Sequence, residues 1–233
     1  MNKNLLALFL TPVLALAFSG AMPVVHAEDS VAAGNSASGK NKAATCLGCH
    51  GEDGNSMIPT YPKLAQQHSS YLVKQLQEFK AGTRNNAVMG PMAMALSEAD
   101  MRDIGAYFAE QKITANSAPS LPPPEDEDAV VDENKNKKTM QELLAKGSNL
   151  YRNGNLASEV SACIACHGPQ GEGNKPAVFP ALHSQHADYL IQALTDFKSG
   201  ARSNNPENMM HMIAKKMTDA EIKAVGYYIS TMK

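Results

Sequence analysis

Two stretches of the chain carry the same helical pattern of apolar positions. In the first, Tyr71, Leu72, Gln75, Leu76 and Phe79 share one face, and the pattern stops at Gly82. In the second, Tyr189, Leu190, Ala193, Leu194 and Phe197 do the same before Gly200. Steps of three and four residues gather these side chains into one stripe, and a glycine just past the stripe suits the left-handed turn that ends a helix. A second pattern follows each stretch. Ser97 with Asp100, and Thr218 with Glu221, place a hydroxyl and an acid three residues apart, which predicts a helix start. The terminal helices so opened run through Tyr107-Phe108 and Tyr227-Tyr228. They contain Gly105 and Gly226, each costing about 1 kcal/mol against alanine; close approach of another helix would account for them. No segment reads as a strand, so the expected class is all-α.

The likeness extends well beyond these helices. Tyr61-Pro62-Lys63-Leu64 matches Phe179-Pro180-Ala181-Leu182, and Gln67-His68 matches Gln185-His186. Phe79-Lys80-Ala81-Gly82 matches Phe197-Lys198-Ser199-Gly200, with Arg84 matching Arg202. A whole domain has been duplicated. Between the copies, Ala115 to Lys138 holds Pro119, Pro122, Pro123 and Pro124, an acidic cluster from Glu125 to Asp128, and a Lys/Asn run. That composition predicts an extended, poorly ordered linker. Residues 30–39 are small and polar and read as a loose tail.

The N-terminus has a different pattern. Lys3 precedes an apolar run from Leu5 to Phe18, and Val25-His26-Ala27 forms an A-x-A-like cleavage site before Glu28. The run is shorter than the ~20 residues a spanning helix needs. The expected divisions are a signal peptide (1–27), a first domain (28–114), a linker (115–138) and a second domain (139–233). In a bacterium the mature protein would lie in the periplasm.

Charge excludes nucleic acid as a partner: past residue 27 there remain 20 basic and 23 acidic side chains. The 233 residues include no Trp but 13 Met and only four Cys. All four cysteines fall in two matching motifs, Cys46-Leu47-Gly48-Cys49-His50 and Cys163-Ile164-Ala165-Cys166-His167. C-x-x-C-H reads as a c-type haem attachment site. Two thiols a short turn apart can each form a thioether to a haem vinyl group, and the adjacent histidine then lies under the iron. Cys46, Cys49, Cys163 and Cys166 are therefore the candidate attachment residues, and His50 and His167 the candidate proximal ligands. A dithiol redox pair or a structural zinc site is the weaker reading, and no disulfide is expected.

The second axial ligand decides what such an iron does, since a six-coordinate haem mainly passes electrons. Met/His ligation raises the potential. The candidates are Met89, Met92 and Met94 in the first copy and Met209, Met210 and Met212 in the second. Anchoring the repeat on Ser97 and Thr218 pairs Met89 with Met210. Anchoring on Arg84 and Arg202 pairs Met92 with Met210 and Met94 with Met212. The first pairing, Met89 and Met210, is preferred. His68 and His186 also match and would allow bis-His ligation, although polar helix starts explain them more simply; His183 and His211 read as surface residues. Pro62 and Pro180 follow the proximal histidines by 12 and 13 positions, where a loop carbonyl would orient an imidazole through its other N–H.

Together these motifs, with P-x-L and Y-L-x-x-x-L-x-x-F-x-x-G-x-R in each half, resemble the dihaem cytochrome c4 family. The resemblance implies two tandem class I cytochrome c domains, each wrapped round one covalently bound haem, with first and last helices crossing at Gly105 and Gly226. It implies His50/Met89 and His167/Met210 as axial pairs and Pro62 and Pro180 as their orienting carbonyls. It further implies a non-enzymatic periplasmic electron carrier of a respiratory chain. The partners would be a quinol-oxidising complex and a terminal oxidase of the cbb3 type, compatible with peripheral membrane association. The alternative is a dihaem redox enzyme, a peroxidase or sulfur-compound dehydrogenase, with one open haem. The linker is longer than is usual in the family, which leaves the packing between the halves open, as the sequence leaves the potentials and the oligomeric state.

Overall fold

A helix begins where a side chain can satisfy its first free N–H groups, and the fold starts at such a point. In the computed structural model, which describes residues 33–121 and 132–233, Asn35 accepts from the Ser38 N–H and opens α1 (Ser36–Lys42). The first half continues with α2 (Leu47–His50), α3 (Ser69–Ala81), α4 (Met89–Met94) and α5 (Glu98–Glu110). The second half repeats the order with α6 (Glu133–Asn153), α7 (Ile164–His167), α8 (Ala187–Ser199), α9 (Met209–Ala214) and α10 (Asp219–Ser230). Among the described residues there are two isolated β-bridges and no strand. The expected capping boxes form at Ser97/Asp100 and Thr218/Glu221. Gly82 and Gly200 end α3 and α8 in the left-handed conformation, with φ of 74° and 81°.

Each half has its own core. Ala43, Leu72, Ile104, Tyr107 and Phe108 form one; Leu150, Tyr151, Val160, Leu190, Ile222, Val225 and Ile229 belong to the other. In both, the first helix crosses the last: α1 packs on α5 and α6 on α10.

The glycines at that crossing are not the ones expected. A Cβ on Gly39 would fall 1.9 Å from the Asp103 carbonyl oxygen, and one on Gly147 would fall 2.1 Å from that of Ala224. Gly105 and Gly226 instead face the middle helices, against Ser69 and Val73 of α3 and Ile191 of α8. The reason is geometric. The first helix runs its backbone directly against the last one and so needs its own glycine there, while α5 and α10 each turn a second face to the middle helix.

Two segments expected to be loose are helical. Residues 36–39 of the expected tail belong to α1, held to α5 because the Asn35 N–H donates to Asp103 Oδ1 (2.7 Å) and Lys42 bridges Asp100 and Asp103. Residues 133–138 of the expected linker form the first turns of α6, since Asp132 accepts from the N–H groups of Asn134 and Lys135. The expected signal peptide (1–27) and linker residues 122–131 lie outside the described residues.

The described residues form one compact unit, and the halves meet through reciprocal contacts between matching positions. Arg84 donates to the Tyr189 hydroxyl (3.3 Å) and Arg202 to the Tyr71 hydroxyl (3.1 Å). Gln67 and Gln185 each bond the other half's backbone. Such pairing, in which i touches j and the copy of j touches the copy of i, is what a two-fold interface requires.

Gly147→Ala should force α6 off α10 and lower stability by about 2 kcal/mol, the usual range for overpacking against backbone. Gly48→Ala is the control, because a Cβ there meets nothing within 4 Å and the second half already carries Ala165. Denaturant titration of the haem-loaded protein checks both.

Candidate functional site

The two C-x-x-C-H motifs sit on single-turn helices, α2 and α7, against the two cores: Cys46 and Leu47 touch one, Cys163 and Ile164 the other. All four cysteines are unpaired and half-buried. Burial pushes the Cys46 thiol up and the Cys163 thiol up to about 11. A reactive dithiol needs the opposite shift. Among the described residues no three His, Cys, Asp or Glu side chains gather to hold a metal by themselves.

His50 and His167 are buried, and each gives its Nδ1 to the carbonyl oxygen of a proline: Pro62 at 2.8 Å and Pro180 at 3.0 Å. A carbonyl can only accept, so Nδ1 carries the proton and Nε2 keeps its lone pair, the tautomer a metal ligand needs. Burial lowers both imidazoles' affinity for a second proton, against a smaller opposing effect of the proline carbonyls. Tyr61 and Phe179 set their rings 6.3 Å from the two imidazoles. The local arrangement is the same twice, and it comes from residues that match in the repeat.

The methionines separate by exposure. Met92 and Met94 are 38% and 61% exposed, Met209 and Met212 38% and 47%; Met89 and Met210 are half-buried. Both of these donate their backbone N–H to an asparagine Oδ1 at 2.8 Å, Asn86 and Asn205 respectively. The competing alignments each hold in their own stretch. Up to Arg84 and Arg202, both guanidiniums lie 4.4 Å over their own helix's phenylalanine, Phe79 and Phe197. Beyond, Ala93 and Ala214 are both fully buried in α4 and α9. The three extra residues fall in the turn at Pro206–Asn208, where Glu207 and Asn208 take left-handed φ of 51° and 55°.

The remaining histidines do other work. His68 and His186 stand at the N-caps of α3 and α8, and His186 Nε2 donates across the interface to the Ser56 carbonyl (2.9 Å). His68 Nε2 is buried without a partner among the described residues. His183 and His211 are not free surface residues: their Nδ1 atoms bond the carbonyls of Gly171 (3.1 Å) and Phe197 (2.7 Å). Sequence reasoning also passed over Gln67 and Gln185, although their match beside His68 and His186 was the available signal.

The cytochrome c family profile matches residues 36–112 and 144–233. Over 98% of its length the chain is 41% identical to cytochrome c4 of Azotobacter vinelandii, and covers 98% of that protein. The chain belongs to the cytochrome c4 family. It is also similar to the crystal structure of reduced recombinant cytochrome c4 from Pseudomonas stutzeri, at 37% identity and a TM-score of 0.75, covering 86% of this chain and 100% of that one. A thiosulfate dehydrogenase electron acceptor of Thiomonas intermedia is 35% identical over 81% of this chain and 79% of its own. Two cytochrome c domains, each with its own C-x-x-C-H, accommodate two covalent haem c groups and make the protein a dihaem electron carrier. The donor set described above fits that group: paired half-buried thiols and a buried imidazole with its free nitrogen unprotonated. Among the described residues no helix is long and apolar enough to cross a membrane.

The interface histidines give a pH dependence. Burial depresses the affinity of His68 and His186 for a proton, with Lys175 and His183 acting on the first and Lys63 on the second in the same direction. Opposing them are the nearby Glu172 carbonyl for His68 and, for His186, the Ser56 carbonyl that accepts from it and Asp188. The unfolded chain therefore binds more protons below the ordinary imidazole value of 6.5, and stability falls as pH drops through that value. The thermal midpoint of the holoprotein should fall between about pH 7.5 and about pH 5, and should fall less in the His68→Gln/His186→Gln double variant.

Proposed function

We propose that the protein is a periplasmic two-haem electron shuttle. Cys46 and Cys49 hold the first haem and Cys163 and Cys166 the second, with axial pairs His50/Met89 and His167/Met210. The observation that carries this reading is that both halves present the same set: a buried imidazole with Nδ1 committed to a proline carbonyl, and one half-buried methionine among exposed ones. Each haem supplies a one-electron ferrous/ferric couple when bound. The chain's own residues fix the imidazole tautomer, donate sulfur to raise the potential, and exclude water from the proximal side.

The signal peptide at 1–27 directs export. The respiratory chain supplies a quinol-oxidising donor and a terminal oxidase acceptor, the cbb3 type by family resemblance. A second reading of the donor is favoured by the likeness to a thiosulfate dehydrogenase electron acceptor: electrons would then enter from a sulfur-compound dehydrogenase, the chain remaining a carrier. An enzyme with an open haem is less well supported, because neither half lacks a methionine and neither is singled out by an acid–base cluster.

The oxidised protein should show the weak far-red band of iron–thioether coordination at the intensity of two haems. Met89→Ala and Met210→Ala should each remove about half of it, and Met92→Ala should leave it unchanged. Prompt carbon monoxide binding by the untreated ferrous protein would mark an open iron and favour the enzyme instead.

A further inference from the structure

The proline carbonyl that orients each histidine belongs to a peptide group with a second end. The N–H on the other side of the Pro62 carbonyl is that of Lys63, and it donates to Gln185 Oε1 of the opposite half at 2.8 Å. Gln185 Nε2 donates in turn to the Lys63 carbonyl at 2.9 Å. The mirror arrangement is complete. The N–H beyond the Pro180 carbonyl is that of Ala181, which donates to Gln67 Oε1 at 2.9 Å, while Gln67 Nε2 donates to the Ala181 carbonyl at 2.8 Å. Backbone donor and acceptor fix which end of each side-chain amide is oxygen. Gln67, Gln185 and Lys63 are all buried.

The chain is strained to put them there. The residue before each glutamine, Gln66 or Ser184, is non-glycine yet left-handed, with φ of 60° and 54°. Each is pinned by its N–H to the last turn of its own terminal helix or the residues just past it, at Phe108 O (2.9 Å) in α5 or Met232 O (3.0 Å) beyond α10. Backbone strain repeated at matching sites marks a position that the surroundings over-determine.

We infer that Gln67 and Gln185 are positioning residues that set the potential of the haem in the opposite half. A peptide N–H engaged by an acceptor pushes electron density onto its own carbonyl, since hydrogen bonds in a chain polarise one another. Gln185 thereby strengthens the Pro62 carbonyl as acceptor for His50 Nδ1–H, and Gln67 does so for Pro180 and His167. A more strongly engaged Nδ1–H makes the imidazole a better donor to ferric iron and lowers the potential. Docking of the halves is thus felt at each iron through one peptide group. This rests on His50 and His167 being the proximal ligands.

The test is Gln185→Leu in the full dihaem protein, with each haem's potential followed by spectroelectrochemistry and assigned through hyperfine-shifted NMR resonances. The haem of the first half, which does not contain Gln185, should move upward. The expected rise in its ferrous-to-ferric ratio is at most about tenfold, about 59 mV for one electron, and the second haem should move much less. Gln67→Leu should give the mirror result. Loosened packing alone would admit water, favour the ferric charge and lower the potential, the opposite sign. Tyr71→Phe, which removes the Arg202 bond across the same interface, should leave both potentials near wild type. An unmoved or lowered first-half haem in Gln185→Leu, or equal shifts of both haems, overturns the inference. If that variant does not accumulate, the near-isosteric Gln185→Met, which likewise offers the Lys63 N–H no amide acceptor, carries the test: an upward shift larger at the first haem supports the inference, and a downward, equal or absent one overturns it. Failure of the ligand reading would show separately, in the wild-type protein, as a missing iron–thioether band or fewer than two haems.

Discussion

The hydrogen bond from histidine Nδ1 to a proline carbonyl is the contact on which the other features depend. Without it, an imidazole next to a cysteine on a single turn of helix would be free to present either nitrogen. With it, the tautomer is fixed and Nε2 is the one lone pair left. Proline suits the acceptor role because its ring restricts φ and removes an N–H that would otherwise need a partner. The surrounding loop is tied at its far end as well, since Leu64 and Leu182 donate to the carbonyls of Gly54 and Gly171 at 2.7 Å. The loop is therefore rigid in the direction that matters, toward the histidine.

The same loop is the contact surface between the halves, which is why a duplication could turn two haem domains into one compact unit. The glutamine and arginine bonds made by one copy are repeated by the other, so a single evolved surface supplies both sides. The symmetry is broken where the copies differ. Lys63 stands where the second half has Ala181, and its ammonium bonds the Thr114 carbonyl and Asn116 Oδ1, both at 2.7 Å. Burial lowers its proton affinity against the attraction of Asp53. Arg202 is buried while Arg84 is only half-buried, and it shares Gln75 with Asn204. Removing one partner from such a buried hydrogen-bonded cluster leaves a donor unpaired at about 1–3 kcal/mol, so the interface is specific as well as matched.

Periodicity and spacing were enough to read the middle and terminal helices and their caps, because those follow from local chemistry. The first helices were not legible. Ser36-Ala37-Ser38-Gly39 has the composition of a loose tail and is helical only because α5 lies against it. Glu133–Lys138 likewise has no apolar face of its own, and an aspartate cap joined to a packed helix extends it outward. Gly105 and Gly226 signalled close approach correctly but not of which helix, since sequence periodicity gives a face and not a neighbour. Gln67 and Gln185 were hidden for the same reason: a polar residue at a helix start looks solvated until a second domain is placed over it.

A long linker is easily taken to mean a loose pair of domains, yet loop-closure entropy grows only with the logarithm of length, about 0.6 kcal/mol per doubling. Even a modest set of buried interface bonds exceeds that. The linker's first residues are themselves part of the clamp: Asn116 Nδ2 lies 3.0 Å from the carbonyls of Ser184, Gln185 and Ser230. The junction of the first domain with the linker is thus fastened to the second domain immediately beside the glutamine that bonds Lys63. Whatever length follows residue 116 has little leverage on the interface, and the distance an electron must cross between the halves is set by matched side chains instead.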